Sequence, residues 1–328
     1  MKYDLTQARK CIETLDKRRF DRALLGSGDA FRHIVSLVPL LLHLNHPALP
    51  GYVEDAPAGI ADFILSNYQQ NFLSKEHPEL VEDVQSAVNS DSVFAPILGI
   101  YVMGSFGSIS QTSASDLDIW ICHQDDLSEQ DQQRLAEKTK KISLWASTFH
   151  VEMHFYLMTQ KRFRNERYSD PLTKENSGSA QYMLLLEEFY RSAVRLSGKP
   201  LLWLHLWVED EKQYEAEVAR LVAEGELNPN DWVDFGGLGQ FSASEYFGAS
   251  LWQLYKGIDS PYKSVMKILL LETYAQEYPN AHLIARQFKE DLLSGRSTAA
   301  HHFDPYIAIL ERISQYLTAH SEFKRLDF

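Results

Sequence analysis

The sequence predicts an α+β protein in which a small mixed β-sheet is flanked by helices and followed by a mainly helical second part. Apolar residues recur at helical spacing before residue 93 and again after residue 208. Between these regions, short runs of alternating apolar and polar residues are separated by charged amphipathic stretches. With 328 residues and 45% hydrophobic content, the chain is long enough for two domains or one elaborated domain.

These patterns divide the chain into three segments. Residues 1–92 are predicted to be helical, with breaks at Pro47, Pro50 and Pro57, and to pack on the sheet-containing part. Residues 93–208 are expected to form the sheet, and residues 209–328 a helical domain that completes a cleft beside it. We find no internal repeat or low-complexity tract.

The elements of the middle segment follow from hydrophobic periodicity. Strands are expected where apolar and polar residues alternate or where an apolar run is short, and helices where the apolar period is 3.6. The expected strands are residues 97–103, 116–122, 151–157 and 201–208, and the expected helices are 128–148 and 182–196. The polar stretch 159–178, with Arg162, Arg164 and Arg167, has no periodicity and is predicted to be a long loop.

Two aspartates on the second predicted strand are the first candidates for chemistry. Asp116 and Asp118 are two residues apart, so a strand places both carboxylates on one face, about 6.6 Å apart at Cα. Carboxylates at that spacing can share two Mg²⁺ ions, an arrangement that stabilises both oxygens of a phosphoryl transfer. A pair of acids at a strand end is also common in solvated turns, so a purely structural role is the alternative to metal binding.

The turn before these aspartates favours the functional interpretation. Gly104 and Ser105 follow the predicted strand 97–103, and the stretch from Ser105 to Ser115 is small, hydroxyl-rich and uncharged. Glycine allows a phosphate to approach the backbone, and free N–H groups at a helix start attract anions. The motif is not a P-loop, because no G-x-x-x-x-G-K-[ST] pattern occurs in the chain.

A third acid is expected on the next strand. Glu152 and His154 lie on one face of the run 151–157, opposite Val151 and Met153. We predict Glu152 as the third metal ligand, which through the metal lowers the pKa of the attacking hydroxyl. His154 is interpreted as a neighbour, since Mg²⁺ prefers oxygen ligands.

These residues and several longer stretches resemble known families. The G-S-x10-D-x-D motif followed by an acid between apolar residues is similar to the nucleotidyltransferase superfamily of DNA polymerase β and poly(A) polymerase. The chain also resembles, over nearly its whole length, the N-terminal catalytic part of the class I adenylate cyclases of enterobacteria. The stretches that carry this second resemblance are residues 40–43, 46–47, 50–52, 115–120, 188–191, 245–256 and 258–263.

The resemblance implies an enzyme, a phosphorus–oxygen lyase that converts ATP to 3′,5′-cyclic AMP and pyrophosphate. It implies a nucleotidyltransferase-type fold, with Asp116, Asp118 and Glu152 holding two Mg²⁺ ions, or Mn²⁺ in their place. Nothing in the acid motif itself selects cyclisation. Transfer of AMP to a small molecule, a protein or an RNA end therefore remains an alternative, as does a catalytically silent nucleotide-binding module.

Cations and hydroxyls are needed to hold a triphosphate against the acidic charge of the chain. The resemblance places Lys199 beside the nucleotide and gives Ser179 a phosphate contact, although without it Ser179 would be an ordinary helix N-cap. Lys199 lies in the turn after a predicted helix, and a lysine in a turn is usually only a solvated charge. Gly104, Ser105 and Ser115 complete the nucleotide-binding set from the sheet region.

A second group of nucleotide-binding residues is expected at the start of a helix after residue 260. Pro261 suits the first helical turn, which makes Ser260 the predicted N-cap, and Lys263 and Lys267 then lie on one face. Together with Tyr262 they are similar to the residues that the helical domain of poly(A) polymerase-like enzymes offers to a triphosphate. The alternative is a capped surface helix with exposed lysines. The aromatic walls of the base pocket cannot be identified, although Trp120, Tyr182, Tyr246 and Trp252 are candidates.

Composition limits the partners. A net charge of −13 and a pI near 5.4 argue against a nucleic-acid surface. The apolar runs are too short to span a bilayer, the N-terminus lacks a signal-peptide pattern, and two cysteines provide no disulfide framework, so a cytoplasmic location is expected. Members of the resembled family continue into a C-terminal part that responds to the sugar phosphotransferase system. We expect this chain to be a truncated catalytic part, in which that regulation needs the absent portion.

Overall fold

The computed structural model describes residues 5–82, 84, 95–113, 115–165, 182–239, 241–295 and 303–320. Four strands form its sheet: β1 (Ile97–Met103), β2 (Leu117–His123), β3 (Met153–Met158) and β4 (Val194–Gly198). The helices are α1 (Leu5–Leu25), α2 (Asp29–His43), α3 (Asn67–Glu76), α4 (Glu129–Ser147), α5 (Gln160–Asn165), α6 (Tyr182–Ser192), α7 (Leu202–His205), α8 (Tyr214–Ala223), α9 (Ala243–Lys256), α10 (Pro261–Gln276), α11 (Ile284–Ser294) and α12 (Pro305–Ala319). The α+β fold with a small mixed sheet flanked by helices is confirmed.

The strand order is β3-β2-β1-β4. β1 pairs antiparallel with β2 and with β4, whereas β2 and β3 are parallel. The parallel pair needs a crossover, which α4 provides. In the β2–β3 register Leu117 lies opposite Met153 and Asp118 lies opposite His154, so residues of like parity on the two strands share a face.

Side chains of alternating parity on β1 and β2 enter two different hydrophobic cores. Leu117, Ile119 and Ile121 pack with α2 and α4 on one side of the sheet. Trp120 and Cys122 pack with α6 and the helices that follow it on the other side. Asp116 and Asp118 have the parity of Trp120, so the sheet presents them towards the helical part of the molecule.

Two distant helices hold the loop that follows β1. The Gln111 amide donates to the carbonyl of Ala23 in α1 (3.0 Å) and accepts from the Gly107 N–H (2.7 Å). The Asp304 carboxylate, which caps α12, accepts from the Ile109 N–H (2.8 Å). Gly107 has φ +69°, and a Cβ there would lie 2.4 Å from the Arg19 carbonyl, so α1 and the loop approach too closely for any other residue.

Three predicted elements differ from the observed ones. The helix expected at 182–196 ends at Ser192, because the backbone from Val194 onwards pairs with β1 as a sheet-edge strand. The apolar run 201–208 contains the short helix α7 instead of a strand, since periodicity does not separate strand from helix in a fully buried run. The stretch predicted as a loop after residue 159 begins with helix α5, and its remainder from 166 to 181 lies outside the described residues.

In the part of the chain that the structure describes, every helix is too short or too polar to cross a membrane.

Candidate active site

The two aspartates lie at the edge of the sheet where β1 ends. Asp118 lies opposite Met103, the last residue of β1, and a Cβ on Gly104 would be 3.9 Å from Asp118 Oδ2. Asp116 precedes the strand by one residue and is exposed. The Gly-Ser turn and both carboxylates therefore meet at one point, as the sequence predicts.

Burial and repulsion from Asp116 together raise the pKa of the Asp118 carboxyl to about 6, against the opposing effects of His154 and Lys267. The Tyr156 hydroxyl donates to Asp118 Oδ1 at 3.3 Å. Two carboxylates held this close to each other favour a cation between them, because a positive charge removes both the repulsion and part of the desolvation cost.

Glu152, immediately before β3, lies beside Asp116 in the sheet register, but its side chain contacts His154 on β3. Its backbone carbonyl accepts from the Leu117 N–H (3.0 Å), which ties the start of β3 to the start of β2. Its side chain is 73% exposed, and its Oε1 lies 3.1 Å from His154 Nε2. His154, rather than Glu152, lines the cleft. The role of Glu152 as a third metal ligand stays a prediction.

The Gly-Ser turn has a backbone that only glycine adopts readily. Gly104 has φ +85°, and its N–H donates to the Ser192 hydroxyl (3.1 Å) at the end of α6. Ser105 is buried and both residues line the cleft. Ser115 lies outside the lining, and its hydroxyl accepts from the Thr112 N–H (3.0 Å), so it shapes the loop that leads to Asp116.

Helices α9 and α10 form the opposite wall of the cleft. Ser260, Lys263 and Lys267 line it, as the sequence predicts, and Lys256 joins them from the end of α9. Ser260 occupies the N-cap position of α10, but its side chain makes no capping hydrogen bond. Tyr262 is 88% exposed and lies outside the cleft lining.

A partly buried ion pair fixes Lys267. Its Nζ lies 2.7 Å from Glu188 Oε1 on α6. Burial alone would raise the pKa of Glu188, but the charges of Lys267 and Arg191 outweigh it and lower that pKa. Arg191 is itself paired with Glu187, whose other oxygen accepts from the Tyr274 hydroxyl (3.1 Å). The lysine wall is therefore tied to α6 through charges.

Lys199 is not brought to this cleft. Its N–H donates to the Leu98 carbonyl (2.8 Å) and its carbonyl accepts from the Tyr101 hydroxyl (2.5 Å). Leu98 lies near the start of β1, about 20 Å along the strand from Gly104. Ser179 lies outside the described residues. Arg164 pairs with Glu215 and Asp234, away from the aspartates.

The cleft has a volume of about 250 Å³ and includes residues that the sequence did not identify as site residues. Leu185 and Glu188 come from α6, Gln253 and Lys256 from α9, and Tyr306 from α12. Trp120 and Trp252 line it, whereas Tyr182 and Tyr246 do not. The i, i+3 spacing of Leu185 and Glu188 and of Gln253 and Lys256 was visible in the sequence, but nothing there showed that these helix faces meet the sheet.

The donor set fits a divalent cation that is completed by substrate. Among the described residues, no group of three His, Cys, Asp or Glu side chains is arranged to hold a metal by itself. Mg²⁺ commonly binds through one or two carboxylates together with substrate phosphates and water. Asp116 and Asp118, with the raised pKa of Asp118, match that mode of binding.

The fold and the cleft together define a class: α+β proteins in which a small mixed sheet presents paired carboxylates to a lysine-bearing helical wall. The model of the family described as "Adenylate cyclase NT domain" matches residues 4–204, and that of "Adenylate cyclase, class-I, second domain" matches residues 241–328. The chain belongs to the class I adenylate cyclase family.

Curated relatives agree with this assignment. An adenylate cyclase from Haemophilus influenzae is 68% identical over all of this chain and 40% of its own length, and one from Pasteurella multocida is 62% identical over all of this chain and 39% of its own. One from Escherichia coli strain K12 is 45% identical over 96% of this chain and 37% of its own length. The chain thus spans about two fifths of the length of these relatives.

A solved structure, the spectinomycin adenyltransferase from Enterococcus faecialis with ATP and spectinomycin, matches at 15% identity over 76% of this chain and 94% of its own. The TM-score is 0.33, and we draw no argument from this likeness.

Proposed function

We propose that this chain forms the catalytic cleft of an adenylate cyclase, which converts ATP to 3′,5′-cyclic AMP and pyrophosphate in the cytoplasm. The observation that carries the proposal is the meeting of the Asp116–Asp118 pair with Lys256, Lys263 and Lys267 in one cleft of a chain from this family. Opposite charges on facing walls are what a metal-bound triphosphate requires.

In this proposal the helical wall binds the phosphates. Lys263 and Lys256 donate to the outer phosphates, and the free Ser260 hydroxyl is available at the start of α10. Lys267 shares its charge between Glu188 and the substrate. These contacts orient the chain of phosphates so that the bond from the α-phosphorus to the leaving oxygen faces away from the ribose.

The sheet wall acts at the reacting phosphate. Asp116 and Asp118 would hold two Mg²⁺ ions, with Glu152 as the predicted third ligand, and Mn²⁺ is a possible substitute. Bound there, the metal would supply charge stabilisation for the entering and leaving oxygens. The ribose 3′ oxygen forms a bond to the α-phosphorus, the bond to the β-phosphate bridging oxygen breaks, the hydroxyl proton is released, and pyrophosphate leaves. The positive φ of Gly104 lets the turn approach the phosphate without a side chain.

The decisive experiment is product analysis. The purified chain is incubated with ATP and Mg²⁺, and cyclic AMP and pyrophosphate are separated by chromatography, beside Asp118→Asn and an Asp126→Asn control on an exposed loop. Cyclic AMP from the wild type and the control but not from Asp118→Asn supports the proposal. Pyrophosphate without cyclic AMP would instead indicate AMP transfer to a separate acceptor, and ATP binding without turnover would indicate a silent nucleotide-binding module.

A further inference from the structure

One residue of the cleft lining carries a side-chain amide that is free to bind a ligand. Gln253 is 6% exposed and lines the cleft from α9. Its backbone carbonyl accepts from the Gly257 N–H (2.8 Å), but its side-chain amide makes no hydrogen bond to any residue that the structure describes. Neither polar atom of this amide is fully enclosed by protein, so the amide stays accessible from the cleft and can donate to and accept from a bound ligand.

Apolar residues of α6 and α9 line the cleft together with Gln253. Its neighbour Trp252 and Leu185 of α6 line the same cleft and are apolar, and α6 packs against α9. The cationic residues Lys263 and Lys267 come from the next helix, α10. Trp252 and Leu185 thus give the α6 and α9 side of the cleft an apolar surface. The same side also carries the Gln253 amide, Glu188 and Lys256, whose Nζ lies 5.4 Å from the centroid of the Trp252 ring. A nucleobase needs apolar walls and a few directed polar groups.

We propose that the side-chain amide of Gln253 recognises the adenine base: its oxygen accepts from the exocyclic amine and its nitrogen donates to an adjacent ring nitrogen. An amide provides one acceptor and two donors, which matches the amine and ring nitrogen of adenine. Gln253 is the one side-chain amide among the described residues that line the cleft. The inference deepens the proposed function, on which it rests, by naming a residue that determines base specificity.

The test removes either the amide of Gln253 or the exocyclic amine of the base. Wild type, Gln253→Leu and the exposed control Gln276→Leu are assayed with ATP and with purine riboside 5′-triphosphate, which lacks the exocyclic amine. Leucine keeps a similar side-chain volume but removes the hydrogen bonds. We expect wild type and Gln276→Leu to prefer ATP by about tenfold in kcat/KM, the value of one hydrogen bond, and Gln253→Leu to lose that preference. Thermal unfolding verifies that each variant is folded.

The result that overturns the inference is a Gln253→Leu variant that still prefers ATP to the same extent, even if both rates fall. Equilibrium binding of the two triphosphates in EDTA separates this outcome from failure of the proposed function. Loss of the ATP preference in binding supports the role of Gln253 even in a chain that makes no cyclic AMP. If the Gln253→Leu variant makes cyclic AMP and still prefers ATP to the same extent, only the proposed contact between Gln253 and adenine is overturned.

Discussion

The two walls of the cleft are built by different means. On the sheet wall, Asp116 and Asp118 are positioned by strand pairing, in which β2 is held by β1 on one side and β3 on the other. On the helical wall, Lys263 and Lys267 are positioned by the packing of α10 against α9 and α12, and Lys267 also by its partly buried ion pair with Glu188. Backbone hydrogen bonds fix the acids locally, whereas the lysines depend on contacts between elements far apart in the chain. Substitutions should therefore affect the two walls differently.

The largest expected effect is on the sheet wall. Asp118→Asn keeps the shape of the side chain but removes a charge that the metal and the reacting phosphate need, so cyclic AMP formation should fall about a thousandfold. The free energy of unfolding should not fall, because the neutral amide avoids the desolvation that raises the pKa of Asp118. Initial rates and urea unfolding measure the two effects. A variant that unfolds more readily would show that strand pairing alone does not position this residue.

On the helical wall the largest effect should be on stability. Glu188→Gln leaves the partly buried Lys267 ammonium without this opposite charge, which should lower the free energy of unfolding by about 1 to 2 kcal/mol. Urea denaturation followed by circular dichroism measures this loss. Pairing Glu188→Gln with Lys267→Met should restore part of the stability, because no unpaired charge then remains at this partly buried position. The same instability in the double variant would show that the ion pair does not hold this wall.

A smaller effect is expected for a lysine that faces the cleft without a buried partner. Lys263→Ala should raise KM for ATP by about tenfold, with a smaller change in kcat, because the contact to the outer phosphates is present in both the bound substrate and the transition state. Steady-state kinetics with Lys212→Ala as an exposed control tests this. A fall in kcat with unchanged KM would place Lys263 at the reacting phosphate instead.

The turn between the walls should tolerate substitution poorly. Gly104→Ala places a side chain at φ +85°, which costs about 1 to 2 kcal/mol and shifts the backbone beside Asp118. Thermal unfolding and kcat measure the two consequences. Gly225→Ala, at φ +71° with open space around its Cβ, is the matched control for the backbone cost alone. Equal loss of activity in both variants would argue against a local role of Gly104.

The smallest expected effect is a pH dependence of stability. The folded-state pKa of Asp118 is about 6, above its ordinary value of 3.8. Between these values the folded chain holds a proton that the unfolded chain has lost, so this carboxyl makes the protein less stable as pH rises from about 4 to 6. With EDTA present to keep the site free of metal, Asp118→Asn should lack this pH-dependent loss of stability. We expect the loss to be about 1 kcal/mol after allowance for solvent screening. Urea unfolding at several pH values tests the difference, and identical pH profiles would contradict it.

The local sequence made the fold class and much of the sheet wall predictable. Period-two alternation placed Asp116 and Asp118 on one face, and the structure puts that face at the end of β1 beside Gly104. Two predicted elements beside the sheet were wrong. Residues 194–198 alternate apolar and polar residues but were assigned to the preceding helix, and they form an edge strand paired with β1; residues 202–205 form a helix within a buried apolar run.

The sequence by itself determined the strand parity of the acids, the Gly-Ser turn and the i, i+4 spacing of Lys263 with Lys267, because each depends only on local geometry. Only the tertiary structure decided that Glu188, Gln253 and Lys256 enter the cleft, that Lys199 remains at the other end of β1, and that His154 rather than Glu152 lines the site. Those outcomes depend on which helix face meets the sheet. That choice follows from the packing of two cores on opposite sides of one sheet, and no short stretch of sequence encodes it.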